Sequence, residues 1–213
     1  MQQTISETTI RNPIHIETTV RENAAEEPRY FRWTKKEYHQ MAELGLFEGK
    51  RTEFLHGEII EMPTMNSPHA TGLTLTDNTL RNVFSKDFVI RNQMPLDFNE
   101  DFEPVPDIAI VKGTARDYLK EHPQTADLII EISDTTLSYD RNRKASLYAK
   151  FGIEDYWILN LRNQTLEVYR CPSEDESNFY GFGYEEKLTF DGSKEVSPLA
   201  MPEAKIKVAD LLP

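Results

Sequence analysis

Cysteine is all but missing: Cys171 is the only one in 213 residues. No disulfide can form within the chain, and a zinc site built on thiolates is excluded. The thiol reads as an inert group at a strand end. Histidine is also sparse, with five imidazoles scattered singly at 15, 39, 56, 69 and 122, so a His-based transition-metal site has little support. The sequence has no apolar run of about 18 residues, and its N-terminus lacks the charged-then-apolar layout of a signal peptide. A soluble, cytoplasmic protein is expected. Positive charge is short as well, 24 Lys and Arg against 36 Asp and Glu, a net charge of −12. At first sight that argues against a polyanionic partner, because phosphates are normally met with Lys and Arg.

The distribution of charge matters more than its sum. Residues 1–28 carry a net −3 and residues 172–187 a net −4, whereas 141–150 holds Arg141, Arg143, Lys144 and Lys150 with no acid. Residues 1–28, rich in Thr, Glu and Asn without a sustained period, read as a flexible leader. With 38% hydrophobic residues, residues 29–213 can bury the core of a single domain.

Thr34 and Glu37 form a capping box, and Tyr38, Met41 and Leu44 follow at helical spacing, which predicts a helix ending near Gly45. Two short strands, Thr52–Leu55 and Glu58–Met62, should turn through His56-Gly57. Ser67-Pro68 reads as an N-cap followed by proline at the first helical position, opening a helix to about Ser85. A strand is expected over Phe88–Phe98. Helix 138–151 should stop at Gly152, and strands at 154–161 and 165–170 form a probable hairpin. Short strands alternating with loops, at 179–184, 187–190 and 208–212, complete the chain. This order describes an α/β or mixed α+β domain with a central mixed sheet, helix 138–151 crossing over between its neighbours.

Within that scheme two runs draw the chemistry together: Pro106-Asp107-Ile108-Ala109-Ile110-Val111 and Asp127-Leu128-Ile129-Ile130-Glu131-Ile132-Ser133. Each is a β-branched strand with an acid set into it, and such strands are usually buried on both faces. An unpaired carboxylate there costs several kcal/mol, so two on neighbouring strands call for a cation. The alternative is that Asp107 caps the strand start and Glu131 sits at a solvated strand end. Lys144, Leu147, Tyr148 and Phe151 stand at i, i+3, i+4 and i+7, one buried stripe with a lysine in it, and that lysine needs a carboxylate partner or a route to solvent. Glu53 could converge on the same place, although alone it reads as a solvent-facing strand residue. His69, in a first helical turn, reads as a surface or capping residue. Tyr148, Tyr156 and Trp157 read as core aromatics. Two or three oxygen ligands suit Mg²⁺, with Mn²⁺ as a substitute. A metal beside a lysine and a basic segment is apt for phosphodiester hydrolysis.

The ordered set "RTEFLHGEIIEMP", "EPVPDIAIV", "LIIEISDTT" and "YDRNRKASLYAKFGIEDYWILNL" resembles the Uma-type restriction endonuclease family, a branch of the PD-(D/E)XK nucleases, over roughly Trp33 to Arg170. Pro106-Asp107 matches the first part of the superfamily pattern and Glu131 the second. Ser133 stands where the pattern has lysine, and Lys144 on the following helix takes its place. The resemblance implies a restriction-endonuclease-like mixed sheet flanked by helices, a DNA substrate and a homodimer. It implies a metal on Asp107, Glu131 and the Ile132 carbonyl, with Glu53 and Lys144 completing the catalytic set and Ser133 and His69 beside it. The competing reading is a non-enzymatic interaction module that keeps the fold and uses Lys144 in a structural ion pair. A carboxylate-pair glycosidase is disfavoured, because nothing locates an aromatic-lined sugar cleft.

Overall fold

The computed structural model describes residues 29–213, so the leader assigned to 1–28 lies outside the described residues. Helix α1, Lys35–Glu43, starts at the expected capping box: the Glu37 backbone N–H donates to Thr34 Oγ1 at 3.2 Å and the Thr34 N–H to Glu37 Oε2 at 2.8 Å. The hairpin β1, Thr52–Leu55, and β2, Glu58–Glu61, turns where His56 and Gly57 both take positive φ, 52° and 78°, as a type I′ turn requires. The far edge of β1 pairs with β4, Phe102–Glu103, in a three-stranded sheet. Helix α2, Ser67–Val83, is capped by Asn66 rather than Ser67; the Asn66 side chain accepts the His69 N–H at 3.0 Å, which moves Pro68 one place further into the first turn.

The main sheet has six strands in the order β3, Phe88–Asn92; β5, Ile108–Lys112; β6, Leu128–Ser133; β7, Asp155–Asn160; β8, Thr165–Glu174; and β9, Phe182–Asp191. Only β6 and β7 are parallel, and they are joined by the helical crossover. Alternation along the strands divides the core. Ala109, Val111, Ile129 and Ile158 face Leu147 and Tyr148 of the crossover, while Ile108, Ile130, Ile132 and Trp157 face Leu80 and Phe84 of α2. A Cβ on Gly72 would come within 3.2 Å of Ile132 Cγ2, a tight contact, so glycine here lets α2 lie close against the sheet. Residues 31–213 form one compact unit, and no helix among the described residues is long and apolar enough to cross a membrane.

Five local expectations are corrected. Strand β3 stops at Asn92, because Gln93 takes φ 52° and turns the chain away from the sheet. The crossover is not one regular helix: α3, Leu137–Tyr139, and α4, Ala145–Lys150, flank a π-helical turn at Asp140–Lys144. The Asp140 carbonyl accepts the Tyr156 hydroxyl at 3.0 Å, so one backbone acceptor is shared with the sheet as the ladder widens. Strand β9 is continuous through Glu185, Glu186 and Lys187, whose side chains stand in solvent along the sheet edge. Cys171 consequently lies inside β8, and residues 208–210 form a 3₁₀ turn whose Val208 packs into the core with Leu211.

Candidate active site

Strand register creates the first half of the site. Ile108 lies opposite Ile130 in antiparallel β5 and β6, and one further step sets Asp107 across from Glu131. Both acids are buried, 6% and 4% exposed, so Glu131 is not the solvated strand-end residue of the alternative reading. By strand alternation they share the face that packs on the crossover helix. The Asp107 N–H donates to Glu131 Oε2 at 3.1 Å, and Asp107 Oδ2 accepts the Ile132 N–H at 2.9 Å. Asp107 Oδ1 lies 3.1 Å from His69 Nε2 and accepts Gln93 Nε2 at 3.0 Å. Burial would raise the Asp107 carboxyl, but His69, the Ile132 N–H and Gln93 outweigh it and hold the group below the usual aspartate range.

The crossover helix supplies the second half. Lys144 ends the π-helical turn with its side chain fully enclosed; Nζ donates to Glu53 Oε2 at 2.6 Å and lies 3.3 Å from Glu131 Oε1. Burial would lower the Lys144 ammonium, but Glu131 and Glu53 outweigh it and hold the group well above the ordinary lysine value. Glu53 is fully buried, which corrects its reading as a solvent-facing strand residue: β2 and β4 cover both edges of β1, and Oε2 also accepts the Val105 N–H at 3.1 Å. Tyr139 donates to Glu53 Oε1 at 2.9 Å, and Tyr148 to Glu131 Oε1 at 2.6 Å. The core aromatic Tyr148 thus places its hydroxyl on an acid. Asp107, Glu131 and Asp140 line a pocket of about 40 Å³, with Arg51, Asn66, His69 and Asp134 around it.

A model of the Uma2 family, described as "Putative restriction endonuclease", matches residues 36–209. The chain belongs to this family. Among solved structures, the Uma2 chain is similar to a putative nuclease from Anabaena variabilis, with a TM-score of 0.57 and 19% identity, over 75% of this chain and 88% of that one. It also matches the type IIG restriction endonuclease BpuSI, with a TM-score of 0.33 and 15% identity, over 48% of this chain and 11% of that one. No curated protein matches it. The first similarity shows the expected fold, a mixed sheet flanked by helices.

In this Uma2 fold, Glu53, Asp107, Glu131 and Lys144 meet in one buried network. His69 is a direct neighbour of Asp107 as well as an early-turn residue. Ser133 Oγ is buried without a hydrogen-bond partner. Sequence reasoning missed Asp140, 3% exposed and held by Thr136 Oγ1 at 2.7 Å, although its place four residues before Lys144 put the two on one helix face. It also missed Gln93 and Arg51, the latter 3.7 Å from Asp107 Oδ1.

The donor set can be tested for a metal. No three His, Cys, Asp or Glu side chains among the described residues form a preformed metal cage. The negative charge is nevertheless unbalanced: burial pushes Glu131 up to about 8 in spite of Lys144, with Asp107 and Asp140 adding to the rise, and burial likewise pushes Asp140 up to about 6. Surplus carboxylate oxygen at a small pocket fits a hard divalent cation bound through two carboxylates and its own waters.

Proposed function

We propose that this chain is a metal-dependent endonuclease that hydrolyses phosphodiester bonds in DNA. The observation that carries the reading is the pairing of Asp107 with Glu131 on adjacent strands, with Lys144 locked beside them and the surplus acids facing a pocket. Mg²⁺, or Mn²⁺ in its place, would be held by Asp107, Glu131 and the Ile132 carbonyl, and when bound supplies polarisation of the phosphoryl oxygens and a more acidic water. The side chains divide the remaining work. Lys144, held between Glu53 and Glu131, orients water or offsets developing charge. Glu53 fixes the position of its ammonium group. His69 and Gln93 keep Asp107 ionised and aligned. Ser133, two residues beyond Glu131 and on the same strand face, leaves the lysine position of the superfamily pattern to Lys144.

The test is cleavage of plasmid DNA in Mg²⁺, Mn²⁺ or EDTA, with Glu131→Ala alongside. Metal-dependent cutting by the wild type alone is the expected result; metal-independent cutting, or none together with no cation binding by calorimetry, would overturn it. The homodimer that the resemblance implies would be read as a doubled mass by light scattering. One observation favours the second reading, a non-enzymatic module: the 2.6 Å Lys144–Glu53 pair is completely buried, as a structural ion pair would be. Under that reading Asp107→Ala leaves cation binding unchanged because there is none to lose.

A further inference from the structure

Beside the acid pocket opens a larger cleft of about 480 Å³, and the two share Arg51 and Met62 as walls. This volume is that of a small-ligand site. Its lining is amphipathic in a particular way. Phe47, packed on Tyr38 with ring centroids 5.5 Å apart, forms apolar wall together with Met62, Pro95 and Val105. Lys50 and Arg51 stand at the cleft with one acid, Glu48, in its lining; the Lys50 ammonium is paired with Glu61 at 2.8 Å, so Arg51 is the cation that faces the acids. The Arg51 guanidinium lies 3.7 Å from Asp107, beyond hydrogen-bonding distance. Gln93 joins the two cavities, since it lines the cleft while its amide donates to Asp107. Its left-handed φ of 52° is uncommon for a residue other than glycine, and its N–H donates to the Asp107 carbonyl at 3.0 Å. An apolar wall with an aromatic ring, an amide and cationic groups is the chemistry that receives a base and its phosphate.

We infer that this cleft seats one unpaired nucleotide next to the phosphodiester at the acids, so that the substrate is a DNA strand with at least one base outside the duplex. The inference rests on the nuclease reading above and narrows its substrate. The few cationic groups at this cleft suit the phosphate of one nucleotide, whereas a protein that grips intact duplex neutralises many phosphates with Lys and Arg. Stacking on an aromatic wall with a short cationic rim is the mode of single-strand recognition, and a base is read singly only after leaving the stack.

Binding of a fluorescein-labelled single-stranded DNA octamer and of a longer, blunt-ended linear duplex without a loop would be measured by anisotropy at low salt in EDTA, where nothing is cut. The octamer is expected to bind at least about tenfold more tightly, the scale of one base stacked on an aromatic ring. Phe47→Ala should cost about tenfold in octamer affinity. Because that change could disturb α1, Ala42→Trp is the second variant: Ala42 is exposed and lines the cleft, so an indole there fills the space without entering the core. Equal affinity for the two DNAs, no binding of either, or unchanged octamer affinity in both variants would overturn the inference. Cleavage in Mg²⁺ separates the two claims. If the octamer binds through the cleft and is not cut, the nuclease reading fails and the cleft assignment stands. If the linear duplex and the octamer are cut alike, and Ala42→Trp cuts as the wild type does, the cleft assignment fails and the nuclease stands.

Discussion

Two of the buried sets of charge on the main sheet differ in balance. At the start of β7, fully buried Asp155 accepts Arg170 Nε at 2.9 Å, Trp157 Nε1 at 2.8 Å and the Leu199 N–H at 2.8 Å. One cation answers one anion, and the bond to Leu199 ties a C-terminal loop to the sheet. On β5 and β6, Asp107 and Glu131 join Glu53 and Asp140 around one enclosed cation, Lys144. Burial raises the Asp155 carboxyl as it raises Glu131, so burial alone does not distinguish them. What distinguishes them is closure. The Asp155 set ends on protein donors, whereas the Glu131 set has more carboxylate than cation and opens on a pocket. A complete ion pair is read as structure, and an incomplete one at a cleft as a site.

Substitution can break that distinction in either direction. Asp107→Asn is expected to reduce metal-dependent cleavage at least about a hundredfold, on the scale of losing one electrostatic element of a catalytic site, while the urea midpoint moves little. Asp155→Ala should do the reverse: it leaves the Arg170 charge stranded at a cost of about 3–5 kcal/mol in urea unfolding, with cleavage per folded molecule unchanged. Loss of cutting in Asp155→Ala, or unfolding of Asp107→Asn, would erase the contrast. A pair of variants sharpens it from inside the site. Lys144→Met strands Glu53 and should cost about 3–5 kcal/mol, and Glu53→Gln added to it should restore part of that loss, because two neutral groups replace one orphaned charge. Additive losses in the two variants would show that the pair is not coupled.

Much of this site is legible in the sequence because it is written in strand and helix periods. The acid-bearing runs 106–111 and 127–133 are buried strands, and the stripe through Lys144, Leu147 and Tyr148 does face them. What is not legible depends on contacts distant in sequence or on departures from the regular period. Glu53 looks exposed until β4, some fifty residues later, covers the second edge of β1. Asp140 keeps the i, i+4 spacing to Lys144, but the π-helical turn that carries both, with the Asp140 carbonyl accepting the Tyr156 hydroxyl, is not legible in a 3.6-residue period. Strand β9 looks broken because Glu185, Glu186 and Lys187 interrupt its apolar pattern, and an edge strand tolerates such charge.

A third set of charge tests whether closure, rather than mere pairing, is the useful criterion. Glu167 on β8 accepts Arg141 Nε at 2.9 Å and a second guanidinium nitrogen at 2.6 Å, with Asn160 Nδ2 and the Tyr169 hydroxyl each at 3.0 Å. Arg141 belongs to the π-helical turn, so this closed set fastens to the sheet the turn that carries Asp140 and Lys144. Burial pushes Glu167 up, but the bonds from Arg141, Asn160 and Tyr169 outweigh it and the carboxyl lies below its ordinary value. Stability from such a group is present above the unfolded glutamate value of about 4.3 and is lost as pH falls through the lower folded value. Glu167→Gln should therefore cost about 1 kcal/mol at neutral pH, a figure kept low because the Arg141 side chain is 42% exposed and screened by solvent. The difference from wild type should shrink toward zero below about pH 4, as the wild-type carboxyl takes up its proton. Urea unfolding of both proteins at neutral and acid pH measures it. A gap that survives at acid pH would assign the effect to packing. A gap that closes while cleavage at neutral pH is retained would place Glu167 with Asp155, as a completed pair that supports the fold and leaves the chemistry to the unbalanced acids.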